Sequence, residues 1–122
     1  DPVAQFNYGS ACVESDAWEE GRAALRRAEA LGLRSSELYL NLARALTPLD
    51  STAAAEPYLR AFLNANPNHP LGLFHTAALR LRQGRAAEAG TLLAQARAAG
   101  YPDNAAYRKL AGEILAAGGA AH

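Results

Sequence analysis

The feature that most limits what this chain can fold into is a recurrence at a fixed spacing. Offset against itself by 34 residues, the sequence aligns three segments and part of a fourth. Leu42-Ala43 falls on Thr76-Ala77 and on Leu110-Ala111, and Tyr8-Gly9 holds the same place one step earlier. Tyr39 meets Leu73 and Tyr107; Leu46 meets Ile114, with Arg80 the one poor match of that column. Asp16, Asp50, Gly84 and Gly118 share a column. Just after it Gly21, Ala55 and Ala89 align, then Leu25, Leu59 and Leu93, then Ala28, Phe62 and Ala96. Small residues at fixed columns let two helices approach closely, and large apolar residues three or four positions away give each helix a buried stripe.

Turn formers and helix breakers fall between the stripes, at Asp50-Ser51, Pro67-Asn68, Gly84 and Pro102-Asp103. The stretch from Arg82 to Ala89, RQGRAAEA, decides how they are read. Glycine inside a helix costs about 1 kcal/mol relative to alanine, so Gly84 is either a weak point in a long helix or the end of one. Its column holds Asp16, Asp50 and Gly118, which marks a chain reversal where a left-handed backbone suits glycine. The pattern therefore predicts seven helices, over 3–14, 17–31, 36–47, 52–65, 70–82, 86–99 and 104–117. They form one domain over 1–118, with repeats at about 2–35, 36–69 and 70–103, a terminal helix at 104–118 and a tail at 119–122. Short connections make neighbouring helices antiparallel. Proline is comfortable only in the first helical turn, so Pro57 predicts that the helix over 52–65 starts late or kinks. Pro48 predicts an early end to the preceding helix and makes the 48–52 turn the least regular.

Composition agrees with an all-α chain. Alanine is the commonest residue; Ala, Leu, Arg and Glu favour helix, and β-branched residues are scarce. Lys+Arg and Asp+Glu balance at 12 each, so no net field recruits nucleic acid or an anionic membrane. The charge is polarised, with nine acids and six bases over 1–61 against three acids and six bases over 62–122. Eleven of the twelve bases are Arg, which fits a GC-rich coding sequence. No run approaches the ~20 apolar residues of a membrane span, and none has the layout of a secretory leader. A single cysteine excludes an intramolecular disulfide and leaves the redox compartment open, cytoplasmic or periplasmic. The lack of any Met leads to the expectation of a fragment or processed product of a larger bacterial protein.

A 34-residue unit with small residues at these columns resembles the tetratricopeptide repeat, a helix–turn–helix family. The best copy of the second helix is Asp16-Ala17-Trp18-Glu19-Glu20-Gly21, continuing through Leu25 and Ala28. Trp18 holds the aromatic column, from which Thr52 and Ala86 depart; Pro67 holds the closing proline column, Pro102 lies one residue late and Leu33 departs. The resemblance spans about residues 2–118 and implies a right-handed superhelical solenoid of antiparallel helix pairs, its concave face lined by the first helix of each pair. It also implies which residues meet a bound peptide. These are Phe6, Asn7, Ser10, Val13 and Glu14 in the first repeat, and Glu37, Leu40, Asn41, Arg44 and Thr47 in the second. The third supplies Leu71, Phe74, His75, Ala78, Leu81 and Arg82, and the last helix Arg108, Lys109 and Gly112. Apolar and aromatic positions beside a modest set of donors suit an amphipathic or extended segment.

Members of that family that clamp a C-terminal carboxylate use Lys and Asn, then Asn, then Lys and Arg in successive repeats. The corresponding residues here are Phe6, Ser10, Asn41, Leu71 and His75, and only Asn41 matches. The charge-assisted bonds a carboxylate requires are missing, so the clamp is rejected. The column Asn7, Asn41, His75 and Lys109 leaves two readings open. It is either a ladder that binds the backbone of an extended polypeptide, since amides both donate and accept, or a solvated row that helps packing.

Other chemistry finds little footing. His69 lies in an Asn-Pro-Asn-His-Pro turn and His122 at the terminus, and with His75 they lack the spacing of metal ligands on a helix. Cys12 shares the apolar column of Leu46 and Ile114, which makes it a buried small hydrophobe rather than a nucleophile. Arg22 and Arg26 stand near Glu19 and Glu29 and read as solvated pairs. Arg80, Arg82 and Arg85 lack the interleaved aromatics of a nucleic-acid surface. No phosphate loop, catalytic triad or carboxylate pair is present in the sequence. The expectation is a non-catalytic protein–protein interaction scaffold that binds a peptide or helix of a partner, without cofactor, metal, nucleic acid or membrane span. Two alternatives stay open: a regulatory or substrate-presenting region of a larger enzyme, and self-association through Tyr107, Leu110, Ile114 and Leu115 of the last helix.

Overall fold

The computed structural model describes residues 1–119, so His122 lies outside the described residues. Among them the elements are seven α-helices: α1 (Pro2–Glu14), α2 (Trp18–Ala30), α3 (Ser36–Leu46), α4 (Thr52–Ala65), α5 (Pro70–Arg82), α6 (Ala86–Ala98) and α7 (Ala105–Ala116). The chain is all-α, and α1 packs on α2, α3 on α4, and α5 on α6, as a repeat of helical hairpins requires.

The 34-residue period is written into the backbone of the turns. The amide of Ala17 donates to the Cys12 carbonyl at 2.8 Å, Ser51 to Leu46 at 3.0 Å, Arg85 to Arg80 at 2.8 Å and Gly119 to Ile114 at 2.9 Å. Each bond closes a helix end around a residue with positive φ: Asp16 (61°), Asp50 (58°), Gly84 (78°) and Gly118 (88°). This is the six-to-one closure that satisfies the last carbonyls of a helix. The 48–52 turn shares this closure, but it departs from the others as expected: α3 stops short of the ends equivalent to Glu14, Arg82 and Ala116, and residues 47–50 all lie in the turn. Pro48 does act as expected, since α3 stops at Leu46.

Of the two outcomes expected at Pro57, a late start is not what the helix shows. Helix α4 begins at Thr52 and runs through Pro57. Pro57 and Ala53, whose carbonyl loses its usual donor, are both exposed, so the missing bond falls on a side of the helix turned to solvent. Proline matters more at 67. The second helix of a hairpin ends with Gly32 or Gly100, at φ 102° and 111°, and the next amide bonds back, Leu33 to Ala28 at 3.1 Å and Tyr101 to Ala96 at 2.8 Å. Between them in the same column stands Pro67, which has no N–H to give. There the chain uses a bond from the His69 amide to the Asn66 carbonyl instead, at 3.2 Å. The division into two compact units, 1–65 and from 66 onward, falls at this point.

In the first unit, Val13, Leu25, Ala28, Leu38, Leu42 and Ala45 form the core, edged by Phe6, Trp18, Leu33, Tyr39 and Tyr58. The paired glycines of α1 and α2 set their separation. A Cβ on Gly9 would stand 2.7 Å from Leu25 Cγ and 3.2 Å from the Gly21 carbonyl, so nothing larger fits. Asp1 and Ser35 cap α1 and α3 by accepting from the amides of Val3 and Leu38. Tyr58 of α4 stacks on Tyr39 of α3, with ring centres 5.9 Å apart, and donates to Glu29 of α2 at 2.8 Å. Glu29 thus serves Tyr58 rather than the expected ion pair on α2, while Arg22 does pair with Glu19.

In the second unit, the His69 side chain caps α5 and Asn104 caps α7. Leu79, Leu93 and Ile114 are fully buried there. The 99–104 connection is fixed by Arg97, whose guanidinium donates to the Tyr101 carbonyl at 2.9 Å and lies over the Tyr107 ring, 5.5 Å from its centre.

Candidate interaction surface

The residues expected to meet a partner sort differently in the two units. In the first, α1 and α3 lie side by side, and four of the expected residues are joined by hydrogen bonds. Asn41 donates its amide to the Ser10 hydroxyl at 3.1 Å and accepts from Arg44 at 3.2 Å. Arg44 also donates to Glu14 at 3.1 Å. Both Arg44 bonds use one terminal nitrogen, so Nε and the other terminal nitrogen keep donors with no protein partner among the described residues. The Arg44 side chain is 23% exposed and the Glu14 side chain 70%. Arg44 is therefore a fixed, half-buried cation, and its carboxylate partner is free to exchange with water.

Asn7 and Glu37 are exposed at the flanks of this ridge. Phe6 is half-buried against the core, and Leu40 is buried. Val13 and Thr47 are buried as well, Val13 against the close approach of α2 at Gly21.

In the second unit, Phe74 is only 7% exposed. Its ring stacks on Tyr101 with centres 4.2 Å apart and planes 2° from parallel, and His75 stands edge-on to it at 5.2 Å. Tyr101 thus covers much of the area that Phe74 would offer a partner. Ala78, His75 and Leu81 are half-buried, whereas Leu71, Arg82, Arg108, Lys109 and Gly112 are exposed. Arg108 is engaged with Asp103 at 3.1 Å.

Sequence reasoning missed Tyr101 as a packing partner of Phe74. Its column, Leu33 and Pro67, gives the signal: a bulky residue follows the glycine or asparagine that ends each second helix.

Two phenols titrate abnormally. The Tyr58 pKa is raised by burial first, then by its bond to the Glu29 carboxylate. The Tyr8 pKa is raised by its hydrogen bond and charge interaction with Cys12, a buried free thiol. No three of His, Cys, Asp and Glu come together as a metal site among the described residues. None of their helices is long and apolar enough to cross a membrane. No protein-family model matches the chain, and no curated protein matches it either.

Proposed function

We propose that the chain is a non-catalytic protein–protein interaction scaffold of the tetratricopeptide kind, in which the first helix of each hairpin contacts a peptide or helix of a partner. The observation that carries this reading is Arg44. Asn41 and Glu14 bond one of its terminal nitrogens, and its side chain stays partly exposed on a helix that also carries the exposed Glu37. A pre-positioned guanidinium loses little entropy on meeting an acceptor, and it favours carboxylate or backbone carbonyl groups of an incoming segment. The half-buried Phe6 of α1, the helix that carries Glu14, adds apolar area.

The test is panning of a displayed peptide library against the chain, followed by affinity measurement on Arg44→Ala and Asn7→Ala. Selected peptides should carry an acidic side chain and lose at least tenfold in affinity, about 1.4 kcal/mol, on Arg44→Ala. Peptides that bind both variants as tightly as the wild type place the contact elsewhere and sink the reading.

A further inference from the structure

The ion pair between Glu14 and Arg44 joins the end of α1 to α3, and its two partners are held very differently. Arg44 is braced from its own helix. Asn41 accepts from it at 3.2 Å, and Asn41 is in turn bound to Ser10 at 3.1 Å. Glu14 is the last residue of α1, where the carbonyl end of a helix disfavours a carboxylate. Its side chain is 70% exposed, and the 3.1 Å contact with Arg44 Nη1 is the one side-chain bond it makes among the described residues. The cation therefore stays in place when the anion leaves, and the departing carboxylate returns to water it has scarcely given up.

The repeat does not require this pair. Steps of 34 residues carry Glu14 to Pro48, Arg82 and Ala116, and Arg44 to Ala78 and Gly112. The turns after Arg82 and Ala116 close with the same backbone bond as the turn after Glu14, without an acid at that column. Glu14 thus answers to Arg44 and not to the hairpin.

We infer that Glu14 is a built-in competitor at Arg44: an acidic side chain of the bound segment takes its place on the guanidinium, and Glu14 sets how tightly such a segment binds. The inference rests on the reading of Arg44 as the contact for an acidic segment. Asn41 keeps the guanidinium oriented through the exchange. A carboxylate delivered from outside can span two of its nitrogens, whereas Glu14 reaches one. The size of the effect follows from the weakness of exposed pairs, which are closed about 1.5 to 5 times as often as they are open. A ligand that needs the pair open then binds about two- to sixfold more weakly than it would without Glu14.

The probe is a hexaglutamate peptide titrated at low salt into the isotope-labelled full chain, with hexaglutamine as its uncharged counterpart. The readout is the Arg44 Nε–H resonance, identified by its loss in Arg44→Ala. Hexaglutamate should move that resonance and hexaglutamine should not. Glu14→Gln should tighten hexaglutamate binding about two- to sixfold, and Glu14→Ala, which removes the acceptor as well, at least as much. Circular dichroism of both variants should match the wild type, because the side chain is exposed. Glu20→Gln removes the same unit of charge from an exposed site on α2, and should change the affinity by no more than about 1.5-fold. If the resonance moves but Glu14→Gln binds no more tightly than the wild type, the inference is overturned and the function proposed above stands. An equal gain from Glu20→Gln overturns it as well, since net charge then accounts for the change. A resonance that hexaglutamate moves in none of these chains overturns both.

Discussion

The side-chain amide of Asn41 on α3 donates to the Ser10 hydroxyl on α1 at 3.1 Å, and its carbonyl oxygen accepts from Arg44 at 3.2 Å. One residue thereby links two helices and orients a third side chain. A half-buried amide used at both ends fixes a single arrangement, since flipping it would set donor against donor.

Asn41→Ala should cost about 1–2 kcal/mol in urea denaturation, because it removes two hydrogen bonds and leaves Ser10 and Arg44 short of partners. A double-mutant cycle with Ser10→Ala should return a coupling of about 0.5–1 kcal/mol. A coupling of zero would mean that α1 and α3 are held together by apolar packing alone.

Two glycines in helix interiors should respond with opposite signs. A Cβ at Gly9 would stand 2.7 Å from Leu25 Cγ, whereas a Cβ at Gly112 would meet nothing within 4 Å. Gly9→Ala gains about 1 kcal/mol of helix propensity but loses about 1–3 to overpacking, so it should destabilise. Gly112→Ala keeps the gain and should stabilise by up to about 1 kcal/mol. Denaturation midpoints that shift in the same direction for both would contradict the close crossing of α1 and α2.

These glycines also show why some of the structure is legible in sequence and some is not. The period, the seven helices and the positive φ of the Asp16, Asp50, Gly84 and Gly118 column follow from local rules applied to aligned columns. Such rules need only the residue and its neighbours. The burial of Phe74 does not follow from them, because the covering ring belongs to Tyr101 on a distant connection. Likewise the column of Asn41 marks a polar row, but its bond to Ser10 depends on how α1 and α3 pack. Pro57 does not delay the start of α4, for another reason. The cost of proline within a helix depends on which side of the helix loses its donor, and here that side is in water.

The shared turn geometry gives a rank order at position 84. Gly84 has φ 78°, where an L-residue with a Cβ is strained, and no neighbour lies within 4 Å of a Cβ there. Gly84→Ala should therefore lose about 1–2 kcal/mol from backbone strain alone. Gly84→Asp should lose less, since Asp16 and Asp50 already occupy the equivalent conformation. Chemical denaturation that ranks Ala as equal to or better than Asp would show that the left-handed turn is not retained in solution.

Tyr58 should make stability depend on alkaline pH. Its hydroxyl donates to Glu29 at 2.8 Å, and burial together with that carboxylate raises its pKa above the ordinary 10.0. The phenol is neutral when protonated, so the folded chain holds this proton more tightly than the unfolded chain does. Linkage then gives the sign: between the unfolded and folded pKa values the native state binds more protons, and stability falls as pH rises. The contribution is complete below about pH 10 and declines as pH climbs from there through the folded pKa. Tyr58→Phe should cost about 1–2 kcal/mol at neutral pH, because Glu29 loses a donor. It should also show a shallower decline than the wild type above about pH 10. The readout is the difference between the two urea-denaturation series across that range, in which the shared titration of the other tyrosines cancels. Parallel curves would mean that the Tyr58–Glu29 bond does not persist in solution.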